Sequence, residues 1–176
     1  MMSSKKILVA YFSRSGEQYS VGNISKGNTE IIAEMIADKT KGYLFEIKPL
    51  KDNYPQEYKA LTAAAMAEQK ANARPKICGK IDISDYDVVF IGYPNWWGNM
   101  PMLVYSFMEA YDFTAKTVVA FCTHEGSGLG STENKIQNVT KAKEMLKGFE
   151  IYGHAAQNSR NEARAEVEQW LKQIGF

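Results

Sequence analysis

The chain has 176 residues, one domain's worth by length and enough to bury about 70% of the surface that its unfolded form exposes. With 45% hydrophobic and 23% charged residues, disorder, collagen-like repeats and extended coiled coil are excluded. Lys and Arg number 21 against 20 Asp and Glu, so no strong field draws the chain to nucleic acid or to an anionic membrane.

Ile7–Phe12 is a continuous apolar run between Lys5-Lys6 and Ser13-Arg14-Ser15. It suits a strand buried on both faces and is too short for a secretory signal. Asn28–Lys41 carries Ile31, Ile32, Met35 and Ile36 at helical spacing, with Gly42 where a helix stops. Tyr43–Ile47 is the second strand. The Ala-, Glu- and Lys-rich stretch from Tyr54 to Arg74 reads as a helix ended by Pro75. Val88–Tyr93 is the third strand, and apolar stretches of this length are far too short to span a bilayer. Met102–Tyr111 is a short helix, Thr117–Cys122 the fourth strand, and Thr132–Leu146 a helix with Ile136, Val139 and Leu146 on one side. Phe149–Tyr152 is a short fifth strand. Asn161–Leu171 closes the chain as an amphipathic helix whose apolar face is Val167, Trp170 and Leu171.

Strands alternating with helices at this pitch predict one α/β domain over residues 1–176: a doubly wound, five-stranded parallel sheet between two helical layers. Periodicity does not choose the strand order. In either common order, ligands bind beyond the carboxyl ends of the strands, so the loops there are the candidates for function.

The first loop is Ser13-Arg14-Ser15-Gly16, resumed ten residues later by Gly27-Asn28-Thr29. Hydroxyls and free backbone N–H groups at a helix N-terminus form a phosphate cradle; the plainer reading is a helix cap and serine turns. Neither a Walker loop nor a dinucleotide fingerprint is present. The second loop, Tyr93 to Pro101, holds Trp96 and Trp97 side by side. Adjacent residues rarely both enter a core, so one indole faces a ligand, a partner or solvent, unless the pair plugs the sheet end. The third loop, Thr123 to Ser131, is the most glycine-rich stretch. Its His124 and Glu125 form either an acid/base couple or, the reading favoured here, a solvated pair. No catalytic residue is assigned: there is no Gly-x-Ser-x-Gly elbow. His154 has no Cys or His partner at metal spacing, so no metal site is expected. Cys78 and Cys122 make no disulfide framework, which points to a reducing cytoplasm, and Cys122 reads as a small buried hydrophobe.

In this order the three loops resemble the flavodoxin family, as a subgroup with an insertion in the phosphate loop. Tyr11-Phe12-Ser13-Arg14-Ser15-Gly16 with Gly27-Asn28-Thr29-Glu30 resembles its phosphate loop, and Gly92 to Gly98 and Thr123 to Gly128 resemble its two flavin-ring loops. The resemblance covers essentially the whole chain. It implies strand order 2-1-3-4-5 and bound flavin mononucleotide (FMN). Ser13, Arg14, Ser15, Asn28 and Thr29 would hold the phosphate. Pro94, Asn95, Trp96, Trp97 and Gly98 would border the ring, with Trp97 stacking on it. Thr123, His124, Glu125, Gly126, Ser127 and Gly128 would wrap its pyrimidine side. The chain departs from the family pattern in the insert Glu17–Lys26, whose Tyr19, Val21 and Ile24 are expected to fold over the cofactor. It departs also in its near-zero charge, which predicts a less negative low-potential couple than in strongly acidic flavodoxins.

The resemblance implies a one-electron carrier between a reductase and acceptor proteins, acting as a monomer or weak dimer. The second reading is an FMN-dependent reductase taking hydride from NAD(P)H and acting on quinones or similar small acceptors, with His124 or Tyr19 as proton donor. A third, an FMN-binding module that only senses or scaffolds, has no specific residue behind it.

Overall fold

Residues 4–176 are described by a computed structural model. The chain threads β1 (Ile7–Tyr11), β2 (Gly16–Gln18), β3 (Gly22–Ile24), α1 (Asn28–Thr40), β4 (Tyr43–Glu46), α2 (Tyr58–Lys70), β5 (Val88–Pro94), α3 (Met102–Ala110), β6 (Thr117–His124), α4 (Thr132–Thr140), β7 (Glu144–Tyr152), α5 (Gly153–Asn158) and α6 (Arg160–Gln173). The main sheet has the order β4-β1-β5-β6-β7 and every pair in it is parallel. Counting only its own strands, that is 2-1-3-4-5, the flavodoxin-like order.

The central strands are apolar at every position because both of their faces are covered. In β1, Leu8 and Ala10 enter one core with Val89, Ile91, Phe107 and Ile136, under α3 and α4. Ile7, Val9 and Tyr11 enter the other with Ile32, Ile36, Val167 and Leu171, under α1 and α6. Phe90 reaches across the second core to Trp170, edge-on at 5.9 Å. β4 forms one edge of the sheet and leaves Tyr43 and Leu44 exposed.

Several elements differ from the sequence expectation, among them the short helix α5, where none was expected between Tyr152 and Asn161. The helix expected over 132–146 ends at Thr140, whose hydroxyl donates to the Ile136 carbonyl at 2.7 Å. Lys141 then takes the left-handed conformation (φ 52°). Leu146 lies on β7, which starts at Glu144 rather than Phe149. Spacings of three and seven residues fit a helix but are also met across this helix–strand junction, so Leu146 packs on the opposite core from Ile136. The helix expected from Tyr54 is α2, beginning at Tyr58, because Tyr54 and Pro55 are held in a loop by Arg14. The insert Glu17–Lys26, with Gly16 before it, forms the antiparallel hairpin β2–β3, with Glu17 opposite Asn23.

Gly92 lies in β5 beside Phe121 of β6, and a Cβ there would overlap the Phe121 ring. Gly92→Ala is therefore expected to lower the urea unfolding free energy by about 1–3 kcal/mol at unchanged m-value. Unaltered stability would mean that the ring moves aside freely.

Candidate functional site

The carboxyl ends of β1, β5 and β6 lie side by side, and the three loops that leave them meet. In the first, the Oγ of Ser13 accepts the Glu30 N–H of α1 at 3.0 Å, which leaves the Ser13 O–H free to donate. The loop departs into the hairpin and returns at Gly27, where a Cβ would strike the Ser13 Oγ and the Arg14 backbone. Glycine is required by this close approach. Helix α1 thus starts on Gly27 without a side-chain cap, and the N–H groups of Asn28 and Thr29 meet no acceptor among the described residues. The Asn28 Oδ1 is buried and has no donor. Thr29 is buried, its Oγ1 2.7 Å from that of Thr123. This bond uses one of two hydroxyl protons and stitches the first loop to the third.

Arg14 turns away from this cradle. Its Nη1 donates to both oxygens of Asp52, at 2.8 and 2.9 Å. Its Nη2 donates to the carbonyls of Tyr54 and Pro55, at 3.1 and 3.4 Å. Ser15 is exposed.

In the second loop, Trp96 and Asn99 exchange backbone hydrogen bonds of 2.8 and 3.1 Å around Trp97 and Gly98. Both central residues have positive φ, 54° and 70°, the pattern of a type I′ turn. A bulky residue in this region is strained by about 1–2 kcal/mol. The turn is held by Asn95, whose Oδ1 accepts the Gly98 N–H and whose Nδ2 donates to the Gly128 carbonyl, each at 2.9 Å. The two indoles separate. Trp96 packs edge-on against Phe12 and Tyr54, at 5.2 and 5.6 Å. Trp97 is 53% exposed and donates its Nε1–H to the Thr62 carbonyl at 2.9 Å.

In the third loop, His124 is buried, and its Nδ1 accepts the Gly126 N–H at 2.9 Å. The neutral ring therefore carries its proton on Nε2. Burial lowers the His124 pKa, against the opposing pull of Glu150 and Glu125. Glu125 is no free loop carboxylate. It accepts the His154 N–H at 2.7 Å and lies 2.7 Å from the His154 Nδ1, which fixes the loop to the start of α5. Burial drives the Cys122 thiol far above its ordinary pKa, so it is no nucleophile.

Between these loops lies a cleft of about 310 Å³, within the range of small-molecule sites. Asn28, Pro94, Asn95, Trp96, Trp97, Gly98, Thr123, His124, Glu125 and Ser127 line it. Ser13, Arg14, Ser15, Thr29, Gly126 and Gly128 lie outside its lining. The opposite wall is Gln18 and Tyr19 of the hairpin region, Tyr19 as the insert led one to expect, with Tyr58, Leu61, Thr62 and Ala65 of α2, which were not singled out from sequence. Tyr19 and Tyr58 stack at 5.7 Å. The only sequence signal for this wall was the aromatic residue in the insert. Glu125 is the one charged side chain in the lining. Among the described residues no group of three His, Cys, Asp or Glu could hold a metal ion, and no helix is long and apolar enough to cross a membrane.

A family profile described as flavodoxin matches residues 6–174. No curated protein matches the chain. Among solved structures, a Bacteroides eggerthii protein classed with flavoproteins aligns at 28% identity and TM-score 0.74, over 98% of this chain and 99% of its own. A flavoprotein from Lactobacillus acidophilus, solved in complex with FMN, aligns at 21% identity and TM-score 0.63, over 94% and 98%. An NADH:FMN oxidoreductase aligns at 9% identity and TM-score 0.54, over 97% and 90%. The last two likenesses concern the fold alone.

The buried His124 makes stability depend on pH. The unfolded chain binds a proton near the ordinary histidine value of 6.5, while the folded chain refuses it until lower pH. Below that value the unfolded state holds more protons, so stability falls as pH drops. The urea midpoint is expected to fall between about pH 8 and pH 5, and to fall less in His124→Gln. Equal pH slopes in the two proteins would remove His124 as the cause.

Proposed function

The chain belongs to the flavodoxin family, and on that premise we propose that it binds FMN in this cleft and carries electrons between a reductase and acceptor proteins of the cytoplasm. When bound, FMN supplies one- and two-electron redox chemistry that no side chain here provides. The observation that carries the reading is the set of unanswered polar groups at one end of a cleft whose lining holds a single charged side chain, Glu125. The free N–H groups of Asn28 and Thr29 suit a phosphate at a helix N-terminus, and the Ser13 O–H adds a donor. The orphaned Asn28 Oδ1 asks for an O–H or N–H, which a ribityl chain brings. Thr123 and Ser127 line the cleft with further hydroxyls, and Trp97 offers an aromatic face.

What the chain does is bind, orient and limit access. The Asn95 bonds hold the Trp97–Gly98 turn, and Glu125 with His154 holds the third loop. A neutral His124 adds no charge beside the ring loops, and the Glu125 carboxylate, 2.7 Å from the His154 Nδ1, is the one charge in the lining. No Lys or Arg lines the cleft, which leaves the pyrophosphate of a nicotinamide dinucleotide without a cationic partner. This favours a carrier that receives electrons from another protein. The stacked Tyr19 and Tyr58 wall favours the second reading, a reductase of small acceptors, because it narrows the approach to the cleft.

Titration of the protein into free flavin, followed by fluorescence quenching, is expected to show FMN bound at least about tenfold more tightly than riboflavin, the factor that one good phosphate contact supplies. Equal affinity would remove the phosphate cradle. Anaerobic photoreduction of the FMN-loaded protein is then expected to proceed in two spectrally resolved one-electron stages, with NADPH leaving the spectrum unchanged. Rapid bleaching by NADPH in a single two-electron stage would replace the carrier with the reductase.

A further inference from the structure

Arg14 sits between Ser13 and Ser15 in the loop that faces the proposed phosphate, and a cation there suggests direct contact with an anion. The geometry is otherwise. A guanidinium has five N–H donors. The two terminal nitrogens make four bonds, two to the Asp52 carboxylate and two to the carbonyls of Tyr54 and Pro55. The remaining Nε is buried and unpartnered. The side chain is only 9% exposed, and its Cζ lies over the Tyr54 ring at 5.4 Å. Both terminal nitrogens are already engaged and the Nε is buried, so a phosphate would compete for the fork with Asp52 and two carbonyls.

The segment that Arg14 grips is the one on which the hairpin rests. Glu17 N–H donates to the Gln56 carbonyl at 3.4 Å, and the Glu17 carboxylate accepts the Tyr58 N–H at 2.8 Å, capping the start of α2. Tyr19 then stacks on Tyr58. Residues 14–19 and 52–58 are thus joined by a seam whose first fastening is Arg14. The seam bears one whole wall of the cleft, which is built from Gln18, Tyr19, Tyr58 and Leu61.

We propose that Arg14 is a positioning residue: its guanidinium ties the phosphate loop to residues 52–55 and so seats the hairpin and α2 against the cleft, without touching the ligand's phosphate. The flavin part of the test rests on the FMN reading above; the exchange part does not. Arg14→Met, Arg14→Lys, Asp52→Asn and the double variant Arg14→Met/Asp52→Asn are compared with the parent protein, each first checked for native circular dichroism.

The titrations use FMN and riboflavin. Each single variant is expected to weaken both flavins by a similar factor, about tenfold for loss of one charge-assisted pair. The FMN-to-riboflavin ratio then stays that of the parent. The double variant is expected to be no weaker than the weaker single, because the partners act as a unit. Arg14→Lys, which keeps the charge and loses the fork, is expected to behave like Arg14→Met. The proposal is overturned if Arg14→Met weakens FMN alone, if Arg14→Lys restores FMN affinity while Asp52→Asn is harmless, or if no variant changes either affinity.

Hydrogen exchange of the protein without flavin is the second measurement. Amides of residues 16–24 and of the first turn of α2 are expected to exchange at least about tenfold faster in the variants, with the β5 and β6 amides unchanged. Unchanged exchange in the hairpin overturns the proposal. A parent protein that binds neither flavin would sink the FMN reading, and the exchange result would still decide the role of Arg14.

Discussion

The site depends on one close approach, where the returning chain passes Gly27 against Ser13. The strand β1 is central and rigid, so Ser13 has a fixed position at its end. Because Gly27 has no side chain, the chain comes back into contact with it, and the Ser13 Oγ takes the place of a helix cap. The axis of α1 is fixed from that point. Its first amides open toward the cleft, Asn28 reaches the cleft lining, and Thr29 meets Thr123. A larger residue at position 27 would push the helix start outward and break these relations together.

The sheet was legible in the sequence because burial on both faces leaves a plain mark. Ile7–Phe12, Val88–Tyr93 and Thr117–Cys122 are apolar at nearly every position, and only a strand between two helical layers tolerates that. The error over 132–146 arose where the mark is ambiguous. β7 is an edge strand with half of its residues toward solvent, and its pairing with β6 shifts register between Val119 and Phe121, so it shows neither a continuous run nor a clean alternation. The loops were legible for another reason. Gly, Asn and Ser at the end of a buried strand are turn and hydrogen-bonding residues rather than core ones, and two adjacent Trp residues there do not both enter a core.

The far wall of the cleft was legible only at Tyr19, the aromatic residue of the insert. Tyr58 and Leu61 are thirty and thirty-three residues from Asn28 along the chain, and nothing local says that they face it. Their placement is set by long-range contacts, the Arg14 fork and the bond from the Tyr58 N–H to the Glu17 carboxylate. The same holds for Glu125. Sequence placed it in a loop beside a histidine, but the histidine that engages it is His154, twenty-nine residues away, rather than its neighbour. Side-chain chemistry could be read from sequence at this site, whereas pairing could not, since pairing depends on how the loops fold back.

The excursion between Ser13 and Gly27 leaves and re-enters the fold at one point. Its hydrogen bonds run between β2 and β3, to residues 52–58, and between Lys26 and both Glu34 of α1 and Gln157 of α5, and none of its strands joins the main sheet. The main sheet is therefore indifferent to the length of the hairpin itself. A lineage can lengthen, shorten or reshape it without disturbing the sheet or the helix start, and so can alter what approaches the cleft while leaving untouched the part that grips. The fold thus carries at this point an exchangeable module, on which selection for a new partner could act without a loss of foldability.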